Sequence, residues 1–108
     1  MSTDTTVATM TTVAAGAYMI FAKTVIVGPT GISDTDTCTL DAGGSSIDSS
    51  LLFQKQDHEG GMSLQGTYVF ASPGTILLKC RSTNNRTARL TKIAAIKVDP
   101  LQSDAVTG

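Results

Sequence analysis

The chain has 108 residues, of which 41% are hydrophobic and 16% charged, and its formal net charge is −1. This length fits one domain, and a charged share below the usual figure of about 25% indicates a surface of small polar side chains suited to protein contacts. The balanced charge, without a basic run, argues against binding to a nucleic acid backbone. No apolar run is long enough to span a membrane, and the first residues lack the basic start of a signal peptide, so we expect synthesis in the cytoplasm of the producing cell.

Residues 1–12 are rich in threonine and serine, and this composition predicts an extended, flexible N-terminal arm. Thr5, Thr6, Val7 and Met10 lie in this arm. Threonine and valine favour strands, yet so short a segment buries little surface by itself. We therefore expect these four residues to order against a neighbouring chain.

From residue 13 the sequence alternates with a period of two, which is typical of β-strands. Glycine, proline and polar clusters separate the alternating segments and predict turns or loops. The clearest strands are predicted at 17–27, 35–42, 47–54, 62–71, 75–81 and 88–98. We expect about eight strands in all, at a spacing that indicates an all-β sandwich or jelly roll. The domain is predicted over 13–100, followed by a tail at 101–108.

Cys38 and Cys80 are the two cysteines of the chain, and each lies on the apolar face of a predicted strand. A disulfide between them would close a loop of about 43 residues and contribute roughly 4 kcal/mol on the chain-entropy model. Cytoplasmic synthesis favours two buried thiols instead, whereas oxidation after release from the cell would favour the disulfide. Both interpretations stay open from the sequence.

Two predicted strands are apolar on both faces, which indicates cover on both sides. In 17–27, Tyr18 and Ile20 share one face, while Met19 and Phe21 share the other. The strand at 88–98 places Ile96 on the face opposite Ile93. One face of each strand would pack into the core and the other against a partner, so we predict Met19, Phe21 and Ile96 as interface residues.

Side chains that could carry chemistry are few and lack a diagnostic spacing. His58 follows Asp57 in a polar loop, but no nucleophile stands at a meaningful distance from it in the sequence. Asp34 and Asp36 lack the rest of a calcium-binding loop. We therefore predict no catalytic residue, no metal site and no cofactor.

Several stretches together carry a family resemblance: "AGAYMIFAKTVI" from Ala15, "CTLDAGG" from Cys38, "TYVFASPGTILLKC" ending at Cys80, and "TKIAAIKVD" from Thr91. Over residues 13–98 the chain resembles small jelly-roll domains of tailed bacteriophages and their bacterial hosts. These occur as separate virion proteins or as heads of tail fibres, and they commonly form trimers.

This resemblance implies a structural virion protein, and the few residues before the first predicted strand favour a capsid decoration (cement) protein. Its expected partners are two further copies of itself and the major capsid protein, with no nucleic acid and no membrane. Its expected location is the capsid surface. The alternative is a receptor-binding tip or tail-fibre head that holds a host glycan with the loops 28–36, 56–61 and 82–87.

Overall fold

The computed structural model describes residues 4–27, 34–54, 60–83 and 86–98. These residues form seven strands, β1 Thr5–Val13, β2 Gly16–Val27, β3 Asp34–Ala42, β4 Ser45–Gln54, β5 Gly60–Phe70, β6 Gly74–Ser82 and β7 Thr87–Val98. Within these ranges no helix is long and apolar enough to cross a membrane. The all-β class is confirmed, whereas the expected count of about eight strands is corrected to seven over the described residues.

The strands form two antiparallel sheets in a sandwich-like arrangement, one ordered β1-β6-β3-β4 and the other β5-β2-β7. Three pairings are nested around the β3–β4 hairpin. β3 pairs with β4, β2 pairs with β5, and β1 pairs with β6. The last strand, β7, lies outside this nest and pairs with β2.

The core forms where the inward rows of the two sheets meet. In β2 the side chains of Ile20, Ala22, Thr24 and Ile26 are buried, and the residues that alternate with them are exposed or half-buried. From the other sheet, Leu40 and Leu78 are fully buried, and they are direct partners across β3 and β6. Successive side chains of a strand point to opposite faces, so one face of each strand packs into the core and the other faces out. This arrangement explains the period of two in the sequence.

The N-terminal residues differ from the predicted arm. Thr5–Val13 form β1, which pairs along β6 of the same chain, from Thr5 opposite Cys80 to Val13 opposite Gly74. Two irregularities interrupt the pairing, one at Val7 and one between Met10 and Val13. Each inserts a residue and shifts the inward positions, so β1 lacks the regular alternation that reveals a strand in sequence. Residues 1–3 lie outside the described residues.

The connections divide between the two ends of the sandwich. One end holds the short turns at 14–15, 43–44 and 71–73, and the other holds the longer connections at 28–33, 55–59 and 83–86. At the short-turn end Gly43 has a φ of +58°, and a Cβ there would lie 2.5 Å from the Tyr68 hydroxyl. Only glycine fits this position without strain and without moving the ring.

Candidate functional site

The outer face of the three-stranded sheet exposes large apolar side chains. Met19 and Ile96 are direct partners across β2 and β7, and Phe21 follows on the same face of β2. Their exposed fractions are 41%, 55% and 36%. These three residues, here called the outer-face patch, are the interface residues predicted for the domain. The structure brings them together on one surface, although a single copy of the chain leaves them uncovered.

A groove of about 720 Å³ lies beside the outer-face patch. Its lining includes Phe21, Lys23, Lys92, Asp48 and Gln65. Lys23 and Lys92 are direct partners across β2 and β7. Like charges in this arrangement are destabilising, so the pair costs the fold stability. An anionic group of a partner placed in the groove would offset that repulsion.

A second apolar surface lies on the other sheet. Leu51 and Phe53 of β4 have exposed fractions of 66% and 62%, and they stand two residues apart on one face of the strand. Their direct partners on β3 are Thr37 and Thr35. We call Leu51 and Phe53 the β4 patch. Sequence reasoning missed it, because "LLF" in β4 reads equally well as core.

Two side chains of β4, Asp48 and Ile47, cover the edge of β5 that does not pair with β2. Asp48 Oδ2 accepts a hydrogen bond from the Gln65 backbone N–H at 2.8 Å, and its Oδ1 accepts one from the Ser49 N–H at 2.9 Å. Ile47 packs over Gly66, where an added Cβ would lie only 3.1 Å from its side chain. Asp48 therefore holds the two sheets together here, besides lining the groove.

Cys38 and Cys80 form a disulfide with an S–S distance of 2.12 Å. They are direct partners across β3 and β6, and their Cα atoms are 4.1 Å apart. Both side chains are buried, at 0% and 1% exposed. The bond thus joins two neighbouring strands of one sheet on its core-facing side. The sequence could not show that these two positions are adjacent.

Three polar residues are buried at the long-connection end. Asp36 is 0%, Arg86 1% and Ser82 4% exposed. Asp36 is the direct partner of Ser82 across β3 and β6, and Ser82 Oγ accepts a hydrogen bond from the Arg86 backbone N–H at 3.1 Å. The sequence analysis included Arg86 in the loop 82–87 and Asp36 in the predicted strand 35–42, and it did not indicate that either side chain is buried. Both instead contribute opposite charges to one buried region, which indicates a structural role.

The remaining predicted positions are distributed as follows. Thr5 and Thr6 are exposed on β1, whereas Val7 and Met10 are half-buried and pack against the core of their own chain. His58 lies outside the described residues. Over the described ranges, no group of three or more His, Cys, Asp or Glu side chains is placed to hold a metal ion.

Comparison with known proteins found no matching family model and no matching curated protein.

Proposed function

We propose that this chain is a structural virion protein, a phage capsid decoration protein that works as a homotrimer on the major capsid protein. The observation that supports this proposal is the presence of two separate apolar surfaces, the outer-face patch and the β4 patch. A closed ring needs heterologous contacts, in which one surface of each copy meets a different surface of the next. Two different patches supply such a pair of surfaces, whereas an isologous dimer would need only one.

The energies indicate a trimer that a capsid surface would stabilise further. Covering the exposed parts of the five patch residues would contribute on the order of 10 kcal/mol at about 25 cal/mol per Å². Association costs an estimated 4–15 kcal/mol or more in lost freedom. At one contact the two patches therefore roughly offset this cost, and a closed ring of three copies makes three such contacts for two association steps. A capsid surface that holds the copies side by side would shift the balance toward the assembled trimer.

A groove with paired lysines suits the same proposal. Lys23 and Lys92 repel each other in the isolated chain, and an acidic segment of the capsid protein would relieve that repulsion. Charge pairing of this kind mainly sets specificity and the rate of association, so it complements the apolar patches.

The second candidate is a receptor-binding tip that recognises a host glycan. It is favoured by the position of the three longer connections, which leave the strands at the same end of the sandwich. Binding loops are commonly grouped in this way on a rigid scaffold.

A cryo-EM map of the virion that carries this chain tests the two candidates. The decoration proposal expects regular threefold density on the outside of the shell. Density confined to the tail tip would contradict it and support the glycan-binding candidate. Native mass spectrometry of the purified protein adds an independent check, with the trimer expected at three times the 11.2 kDa chain mass.

A further inference from the structure

The sandwich differs at its two sides in how its edge strands are covered. The sheet orders make β1, β4, β5 and β7 the edge strands. β4 lies beside β5 and covers it through Asp48 and Ile47. On the opposite side β1 lies beside β7, and no described strand pairs with the second side of either. An edge left in this way presents N–H and C=O groups that can bind another strand.

Of these two strands, β7 offers the longer regular edge. Two irregularities interrupt the pairing of β1, and bulges of this kind protect an edge from further pairing. β7 has one irregularity, at Leu90 and Thr91, and its last seven residues, 92–98, pair with β2 in an unbroken register. At about 3.3 Å per residue they form roughly 23 Å of straight edge.

The inward side chains along this edge are incompletely covered. Ile93 and Ala95 pack against the core but stay half-buried, whereas Ile20, the direct partner of Ala95 on β2, is fully buried. Val7 and Met10 on the neighbouring β1 are half-buried as well. A strand added along β7 would cover Ile93 and Ala95 with its own inward side chains, and burial of apolar surface favours binding.

Charge restricts which strand can bind there. The strands β2, β5 and β7 contain no acidic residue and four basic residues, Lys23, Arg89, Lys92 and Lys97. Three of the four lie on β7 itself. Pairing between the β7 edges of two copies would bring these basic strands together, which is unfavourable. An acidic strand is complementary to this edge.

The positions of two lysines define the pattern that such a strand needs. Lys92 stands at the start of the regular edge, on the outer face, and Lys97 stands near its end, opposite Tyr18. Between them Ile93 and Ala95 form the inward row. A complementary strand therefore carries an acidic residue opposite each lysine and apolar residues opposite Ile93 and Ala95.

We propose that residues 92–98 of β7 bind an extended, acidic segment of another protein by antiparallel strand addition, with acidic side chains opposite Lys92 and Lys97. Under the decoration proposal this segment belongs to the major capsid protein, and only that identification rests on the decoration proposal. A synthetic peptide tests strand addition without the virion. Failure of the peptide to bind would therefore reject strand addition and leave the cryo-EM test of the capsid role unaffected.

The probe is the peptide Thr-Glu-Thr-Val-Thr-Val-Glu-Thr, added in large excess to the full chain at low salt. Its glutamates fall opposite Lys97 and Lys92, and its valines fall opposite Ala95 and Ile93. Hydrogen exchange of the amides in 92–98 that do not pair with β2 should slow about tenfold, because the added strand accepts hydrogen bonds from them. A peptide with serine in place of both valines should protect them less.

Three results of this measurement would overturn the proposal. One is unchanged exchange of these amides with the peptide present. Another is protection of β1 amides in place of β7 amides. The third is slow exchange of the same β7 amides before any peptide is added, because the edge would then be occupied already.

A change of charge on the edge strand tests the register. Lys92→Glu in the full chain should weaken binding of the peptide roughly tenfold, because an opposite-charge pair becomes a like-charge pair. Lysine in place of the second glutamate of the peptide should restore binding to this variant, whereas lysine in place of the first should not. Arg81→Glu makes the same change of charge on the exposed face of β6, and it should bind the unaltered peptide like the unaltered chain.

Lys23→Glu distinguishes the edge from the groove. Lys23 lies on β2, one strand further from an added strand than Lys92, so its replacement should weaken binding much less. A peptide that lies in the groove would contact both lysines and lose equal affinity in the two variants. Equal losses, or failure of the second-position lysine to restore binding to the Lys92→Glu variant, would overturn strand addition in this register.

Discussion

The disulfide lies at the centre of the inner face of its sheet. Because both cysteines are buried, a reductant reaches the bond only when the chain opens. We expect replacement of both cysteines by alanine to lower the free energy of unfolding by about 4 kcal/mol, the chain-entropy value for a loop of this length. Urea unfolding of the oxidised protein and of the double variant measures the difference. Equal midpoints would show that the bond adds nothing to stability.

Arg86 has a structural role in the buried region that its position in a predicted loop did not indicate. The side chain is 1% exposed and shares the long-connection end with the buried Asp36. Arg86→Met should destabilise the protein by about 3–5 kcal/mol, because it removes a buried charge from the region that also holds the buried Asp36, to which Arg86 is connected through Ser82. Chemical denaturation measures this cost.

A double-mutant cycle checks the cause. Adding Asp36→Asn to Arg86→Met should cost much less than the sum of the two single changes, because residues in one buried polar network couple by about 0.5–3 kcal/mol. Strict additivity would separate the two residues and contradict a shared electrostatic role.

Leu90 combines exposure with an unusual backbone. Its φ is +53° and its side chain is 74% exposed. The pairing of β7 with β2 is irregular here, because Leu90 and Thr91 together lie opposite Thr24. In this bulge Thr24 Oγ1 lies 2.8 Å from Thr91 Oγ1 and 3.3 Å from the Arg89 carbonyl oxygen. The buried threonine thereby obtains hydrogen-bond partners, and Leu90 carries the backbone strain.

Replacement of Leu90 separates strain from packing. Leu90→Gly should leave stability unchanged or raise it by up to about 1 kcal/mol, since glycine adopts positive φ at no steric cost. Leu90→Val should lower it by about 1 kcal/mol or more, because a branched Cβ is poorly tolerated at positive φ. Melting curves of the two variants give the order. A valine variant more stable than the glycine variant would contradict the strained backbone.

At the scale of elements, the pairing of β1 with β6 predicts that an N-terminal truncation destabilises the protein. Deletion of residues 2–11 would be harmless for a flexible arm. In the structure it removes most of β1, exposes the edge of β6 and uncovers Ile76 and Leu78 from one side. We expect a fall of several kcal/mol in unfolding free energy, or failure to fold, at about 25 cal/mol per Å² of apolar surface. A truncated chain that melts like the full chain would contradict the role of β1.

Six of the strands could be predicted because apolar and polar residues alternate over most of their length. The predicted 17–27 and 88–98 agree with β2 and β7 to within one residue. Strand β1 could not be predicted, because its bulges displace Val7, Ala8 and Met10 from a regular period and its threonines resemble a polar tail. The apolar outer face formed by Met19, Phe21 and Ile96 could be predicted, because both faces of their strands are apolar in the sequence. Leu51 and Phe53 could not, because only the pairing of β4 at the sheet edge shows which face is uncovered.

At the scale of the whole molecule, the account depends on two patches that meet head to tail. Ile96→Glu disables the outer-face patch, and Leu51→Glu disables the β4 patch. Each places a charge on an exposed surface, so both variants should fold. Thr9→Glu, on exposed β1, is the matched control and should assemble like the unaltered chain.

Mixing the two patch variants is the most direct test. Each variant alone should be monomeric by native mass spectrometry, at concentrations where the unaltered chain forms trimers. An equimolar mixture should form a heterodimer, because the intact β4 patch of one variant can still bind the intact outer-face patch of the other. An isologous contact would leave the mixture monomeric. Unchanged trimers in either single variant, or a mixture without heterodimers, would contradict head-to-tail assembly through these surfaces.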